Sequence, residues 1–310
     1  MKALAPRGMH MYDRVILAVD SSDESRRAAR TAFELASILD APVTVLHVLD
    51  RSLLDVLRSG DDRDRIRNER RALLAEFESM AGDGVECATR LLEGNPADQI
   101  STVAADQQNP VIVLGRQGRS SVSRKLLGGV TEKVIESGVA PVLVDPGGES
   151  ADRDFERSRI LIPTDGSENA EAAFAPAARL AGAVKTEVHV LSILDLQRAG
   201  GVFNAGGLDA EFVDRLQVET QTALDSGSAL LREVDPALDI TTALERSTDF
   251  DGVSGGIESY ASSNGIDLIV MGSHGRSNVS RQLLGSVTAT VLRRVDVPVL
   301  VIPRDEVSSD

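Results

Sequence analysis

Residues 111–146 read VIVLGRQGRSSVSRKLLGGVTEKVIESGVAPVLVDP, and residues 268–303 read LIVMGSHGRSNVSRQLLGSVTATVLRRVDVPVLVIP. Twenty of these 36 positions are identical without a gap, at an offset of 157. Upstream, Arg14-Val-Ile-Leu-Ala-Val-Asp20 answers Arg159-Ile-Leu-Ile-Pro-Thr-Asp165 at an offset of 145, so the second copy carries 12 extra residues. A period of about 150 residues is too long for a solenoid and reads as a duplicated domain. Between the copies, PGGESADRDFERS (146–158) is rich in Gly, Ser and charge and has no apolar periodicity, as a linker requires. The expected organisation is a disordered lead over 1–12, a first domain over 13–148, a linker over 149–157 and a second domain over 158–305.

In the first copy, apolar runs at 15–19, 43–49, 85–91, 111–114 and 142–144 alternate with helical segments at 25–39, 65–81, 96–107 and 129–137. The runs are aliphatic on both alternating faces, which suits strands buried between two helical layers. The second copy repeats the alternation, with strands near 159–163, 186–193, 239–245, 267–271 and 298–302. This βα pattern predicts an α/β fold, two parallel sheets, each open and doubly wound.

The chemistry centres on Gly272-Ser-His-Gly275, nine residues, then Gly285-Ser286, placed between a buried strand and a helix. Glycines let backbone approach a ligand, and a helix start offers N–H groups and a positive dipole end to an anion, most naturally a phosphate. A plain strand-to-helix turn is the alternative, but the spacing recurs in the first copy and each first strand ends in Asp. In an open parallel sheet, Asp20 and Asp165 face the crevice beyond the carboxyl ends of the strands. Each carboxylate can accept from a ribose or base amine, or serve as a helix N-cap. Arg119, Arg124, Arg276 and Arg281 suit phosphate oxygens, or are solvated loop charges.

The pattern resembles the universal stress protein (UspA-like) family in its tandem form, over roughly 12–146 and 157–304. The motif G-x2-G-x9-G-[S/T], the VPVLVIP ending and the LHVLD closing the second strand carry the resemblance. It implies two flavodoxin-like domains of strand order 3-2-1-4-5, joined as a pseudo-dimer with Val142–Val144 against Val299–Val301. It also implies binding of ATP or another adenine nucleotide, with Mg2+ or Mn2+ on the phosphates. Matched residue by residue, the second copy supplies Asp165, Ile193 (through its backbone, to adenine), Gly272, Gly275, Gly285, Ser286 and Val287. The first supplies Asp20, Val48, Gly115, Gly118 and Gly128, with Gly129 where the family has Ser or Thr. A neutral hydrogen bond is worth about 0.5–1.5 kcal/mol, so the first site is expected to be weaker by about tenfold. Gly94-Asn-Pro96 has no counterpart in the second copy, which marks a local difference there.

Composition narrows the classes. The 310 residues are 42% hydrophobic and 26% charged, enough for a sizeable core. Asp and Glu total 48 against 33 Lys and Arg, a net charge of -15, which argues against attraction to nucleic acid or anionic lipid. Lys2, Lys125, Lys133 and Lys185 are the only lysines, a balance that suits a halophilic, high-salt cytoplasm or reflects biased codon usage. Cys87 is alone, there is no signal core, and no apolar run reaches the roughly 18 residues of a membrane helix; a cytoplasmic protein is expected. No P-loop, nucleophile elbow or metal-spaced His/Cys cluster occurs. His47 and His189 are expected to be packed, Cys87 to be a small buried hydrophobe, and Gln197–Asp209 to be a lid or a disordered insertion. The expected role is a nucleotide-occupied regulator of stress response whose surface a protein partner reads. An interaction module with empty pockets and a slow ATPase are the rivals; homodimerisation of the whole chain stays open.

Overall fold

A computed structural model describes residues 11–51, 60–118, 126–147, 158–195, 210–247, 252–275 and 283–304. The expected linker, the Gln197–Asp209 loop and Arg119, Arg124, Arg276 and Arg281 lie outside these residues. The first half runs β1 (Arg14–Ala18), α1 (Asp23–Leu39), β2 (Val43–Asp50), α2 (Gly60–Glu78), β3 (Cys87–Gly94), α3 (Pro96–Ala105), β4 (Pro110–Gly115), α4 (Gly129–Glu136) and β5 (Val142–Asp145). The second runs β6 (Ile160–Pro163), α5 (Glu168–Glu171), α6 (Phe174–Val184), β7 (Val188–Asp195), α7 (Ala210–Val234), β8 (Ile240–Ser247), α8 (Gly252–Ser263), β9 (Leu268–Gly272), α9 (Ser286–Arg294) and β10 (Val299–Ile302).

The ten strands form one sheet in the order β3-β2-β1-β4-β5-β10-β9-β6-β7-β8. Each half is thus a parallel 3-2-1-4-5 sheet, and the halves join at an antiparallel β5–β10 pair. There Val144 faces Val299, Leu143 faces Leu300 and Val142 faces Val301, the expected pseudo-dimer contact.

Strand alternation feeds two apolar layers. Val15 and Leu17 belong to one layer, with buried residues of α1, α2, α6 and α7, and Ile16 and Ala18 to the other, with buried residues of α3, α4, α8 and α9. Both faces of the inner strands are therefore covered, and their near-continuous aliphatic runs follow from that burial. The edge strand β3 departs from the expectation: its residues are half-buried or exposed and none is fully buried, and it runs further along the chain than 85–91. Cys87 at its start is half-buried rather than buried, and that burial, followed by the charge of Glu78, pushes its thiol pKa up. Met11 and Tyr12, expected in the lead, belong to the core instead; the Asn109 amide donates to the Met11 carbonyl at 2.6 Å and fixes them there.

Two prolines distinguish the second half. Where α1 is one helix, its counterpart breaks into α5 and α6 at Ala172–Ala173. Pro176 stands in the first turn of α6, and its ring clashes with a helical carbonyl four residues back, at Ala172. Ile160 donates to the carbonyl of Glu187, just before β7, at 3.1 Å and Thr164 to that of Leu191 in β7 at 2.8 Å, so the intervening odd positions face β9. Pro163 has no N–H to give there. The β6–β9 register accordingly covers two residue pairs, against four between β1 and β4. The sheet parts early at the switch point of the second half.

Candidate nucleotide cleft

A cleft of about 450 Å3 opens where β6 and β9 part, beyond the carboxyl ends of the strands. Asp165, Ile193, Gly272, Gly275, Gly285, Ser286 and Val287, seven of the nine positions singled out in the second copy, all line it. Arg276 and Arg281, the other two, lie outside the described residues.

The first-strand Asp does not cap a helix. In the second half Ser167 is the N-cap of α5, its hydroxyl accepting from Ala170 N at 3.3 Å. Asp165 Oδ1 in turn accepts from Ser167 N at 3.0 Å and from Ser167 Oγ at 2.6 Å. The first half repeats this with Ser22 as the cap of α1. Asp20 Oδ1 there accepts from Ser22 N at 2.9 Å, from Ser25 Oγ at 2.8 Å and from the Ser22 hydroxyl. One carboxylate oxygen is thus spent on orientation, and the other faces the glycine loop. A Cβ on Gly275 would stand 2.8 Å from Asp165 Oδ2, and one on Gly118 would stand 2.7 Å from Asp20 Oδ2. Real Cβ contacts are longer, so glycine is what allows Asp and loop to approach this closely.

The other glycines have the same cause. A Cβ on Gly272 would meet the Asn169 carbonyl at 2.1 Å, and one on Gly285 the Ser273 carbonyl at 2.9 Å. Gly115 and Gly128 are close-packed too, with nearest atoms at 3.2 Å, Glu24 Cβ and the Arg116 carbonyl respectively. Gly129 is the exception: a Cβ there would have no atom within 4 Å, so a side chain would enter open space.

Each loop is tied at its base by groups outside the glycine motif. Thr288 Oγ1 donates to the Gly272 carbonyl at 2.9 Å, and Thr131 Oγ1 to the Gly115 carbonyl at 3.0 Å. Neither was expected from the sequence, although both threonines sit at identical positions of the repeat, which was the available signal. His274 Nε2 donates to the Leu283 carbonyl while its Nδ1 accepts from Ser273 Oγ at 3.0 Å. Gln117 Nε2 makes the matching bond to Leu126 O in the first half. His274 is therefore a loop brace. His47 and His189 are buried, as expected, with Nδ1 at 2.6 Å from Val19 O and 2.9 Å from Tyr260 Oη.

The floor and walls are mixed. Gly285 caps α9 without a side-chain hydrogen bond, so no side chain of the cap competes for the amides of the first turn of α9. Those amides and the helix dipole favour an anion. Ile193 is half-buried on β7, and Gly256 of α8 makes room for it: a Cβ there would lie 2.9 Å from Ile193 Cδ1. Leu216, Glu219 and Thr220 of α7 and Val253 and Ile257 of α8 complete the wall; none of them was foreseen from the motif. Asp165, Asp195 and Glu219 put carboxylates on the lining, and among the described residues no Lys or Arg joins them. In the first half Asp20, Gly115, Gly118, Gly128 and Gly129 hold the equivalent places, with Val48 half-buried on β2.

The model of the universal stress protein family matches residues 11–146 and again 156–303. Among curated proteins, a universal stress protein of Mycobacterium tuberculosis is 27% identical over 311 residues, covering 96% of this chain and 98% of that one. A universal stress protein of Methanocaldococcus jannaschii is 32% identical over 149 residues, 46% of this chain and 88% of that one. The crystal structure of a universal stress protein from Archaeoglobus fulgidus superposes with a TM-score of 0.66 at 21% identity, over 95% of this chain and 98% of that one. Matched twice along its length, in the same two halves that the sheet joins at β5 and β10, the chain belongs to the universal stress protein family.

Proposed function

We propose that the protein binds an adenine nucleotide, ATP in the first instance, in the cleft of its second half, and that occupancy regulates a surface read by a protein partner in stress response. The observation that supports this is the gathering of Asp165, Ile193, Gly275 and the start of α9 around one cleft of about 450 Å3. In this reading the α9 amides take the phosphates, Asp165 takes the ribose or a base amine, and the Ile193 backbone meets adenine. The glycine cradle fits such a guest, since any Cβ at Gly275 would crowd Asp165 at 2.8 Å.

Three carboxylates on the lining oppose a bare triphosphate. Among the described residues no group of acids, His or Cys could hold a metal ion. A divalent cation, Mg2+ or Mn2+, would then arrive on the phosphates and supply the neutralising charge. The lone cysteine suits a reducing compartment, and the proposed location is the cytoplasm.

Isothermal titration of ATP with Mg2+ into nucleotide-stripped protein at high KCl tests the reading, beside Asp165→Ala and Asp20→Ala. Binding at a stoichiometry of one, lost with Asp165→Ala alone, supports the second-half cleft as the site. Two sites would mean that Gly129 is tolerated. No heat at several temperatures with a flat thermal shift would replace the reading with an interaction module. ADP release abolished by Gly275→Val would make the protein a slow ATPase.

A further inference from the structure

Arg116, the second residue of the first glycine loop, serves both halves. Its carbonyl accepts from the Gly128 amide at 2.9 Å and so fixes the N-cap of α4 in the first half. Its side chain crosses the β5–β10 seam, where Nη1 donates to the Val295 carbonyl at 3.0 Å, with the carbonyls of Arg293 and Leu292 at 3.3 and 3.5 Å. Leu292 and Arg293 stand in the last turn of α9 and Val295 is its C-cap; the first residues of the same helix line the cleft of the second half. The guanidinium is buried, with 8% of the residue exposed. Burial lowers its pKa, while Asp296, Asp145 and Glu24 act in the opposite direction. An arginine stays charged in such a setting, and a cation at a helix C-terminus is favoured by the helix dipole.

Ser273 holds the matching position in the second half. Its carbonyl accepts from Gly285 N at 2.9 Å, just as Arg116 accepts from Gly128. Its side chain turns back to His274 Nδ1 at 3.0 Å within its own loop. The Arg116 arm thus has no mirror image at the position that repeats it.

We propose that Arg116 is a positioning residue for the second-half site and that it couples the two glycine loops. A nine-residue helix is about 13 Å long and moves as a unit, so a shift of the first loop that moves Arg116 also moves Gly285, Ser286 and Val287. Whatever the first site gains or loses on binding is then felt at the second, and linkage makes the effect mutual. The identity of the ligand rests on the nucleotide reading above; the mechanical link does not.

The test uses the full chain as wild type, Gly118→Val, Arg116→Ser, the double variant and Arg116→Lys. Hydrogen exchange over Val287–Thr290 is followed without nucleotide, and ATP–Mg2+ affinity by titration. Valine at 118 must displace Asp20, 2.7 Å from its Cβ. It should speed α9 exchange about fivefold or more when Arg116 is present, and add nothing to Arg116→Ser. Arg116→Ser should weaken the second site about fivefold, and Arg116→Lys, which keeps the cation, should recover most of that loss. Equal α9 exchange in all forms, each folded by circular dichroism, overturns the proposal. The exchange pattern without heat from ATP in any form supports the coupling and retires the nucleotide reading. If Arg116→Ser does not fold, Gly118→Val against wild type and Arg116→Lys decides: unchanged α9 exchange overturns the proposal.

Discussion

The repeated Asp–Gly contact is the smallest unit on which the site rests. At Gly275, even alanine would place a Cβ 2.8 Å from Asp165 Oδ2. Crowding of this kind costs about 1–3 kcal/mol. We expect Gly275→Ala to lower stability by that amount in urea titrations and to weaken ATP binding at least tenfold; an unchanged affinity would remove Asp165 from the site. Gly129 is the opposite case, with no atom within 4 Å of a Cβ. Gly129→Ser should strengthen the first site up to about tenfold by adding a hydroxyl donor, measured by the same titration. It should also add about 0.5 kcal/mol of stability, since Gly is a poor helix residue. The glycine positions were legible because the repeat marks them, but their reason was not. Among the described glycines positive φ occurs at Gly84, Gly94, Gly138, Gly147, Gly166, Gly252 and Gly265, none of them in the motif. A sequence does not distinguish a glycine that turns the chain from one that yields space to a carboxylate 100 residues away.

Elements were legible where their cause is local. Asn95 caps α3 by accepting from Ala97 N at 3.0 Å, with Pro96 starting the helix, as its sequence spells out. The break between α5 and α6 and the short β6–β9 ladder each trace to one proline, yet which neighbour loses a hydrogen bond depends on strand order. At the start of β7, Glu187 Oε1 accepts from Thr241 Oγ1 at 2.8 Å and lies 3.1 Å from His189 Nε2. The Thr241 hydroxyl, with His189 and Arg159 assisting, holds the Glu187 pKa below its ordinary value of 4.5. The folded state therefore favours the ionised carboxylate. Its contribution is complete above pH 4.5 and fades as the pH falls through the lower folded-state value. Urea titrations from pH 7 to pH 3 should show Glu187→Gln less stable than wild type at the top of this range, with the gap closing toward the bottom. A constant gap would contradict the assignment.

At the scale of the molecule, one sheet of ten strands makes the two halves a single core. Leu143 and Leu300, 2% and 3% exposed, face one another across the seam within one apolar layer. Leu143→Ala and Leu300→Ala should each cost about 2–5 kcal/mol. Their double variant should cost less than the sum, because they share a contact. Wild type should melt in one cooperative calorimetric transition; two resolved transitions would show halves that fold independently. The duplication and the alternation of strands and helices were plain in the sequence. The 3-2-1-4-5 order and the joining of fifth strands came from the family resemblance, because nothing in Val142–Val144 or Val299–Val301 names its partner. The wall that α7 adds to the cleft was not legible, since it depends on how the enlarged second copy folds back over β7. Crystals grown with ATP and Mg2+ would show whether the second-half cleft holds a nucleotide. A triphosphate is expected at the first turn of α9, with the ribose within hydrogen-bonding distance of Asp165 and adenine beside Ile193. An empty cleft at millimolar ATP, or a nucleotide bound elsewhere, would contradict the nucleotide reading.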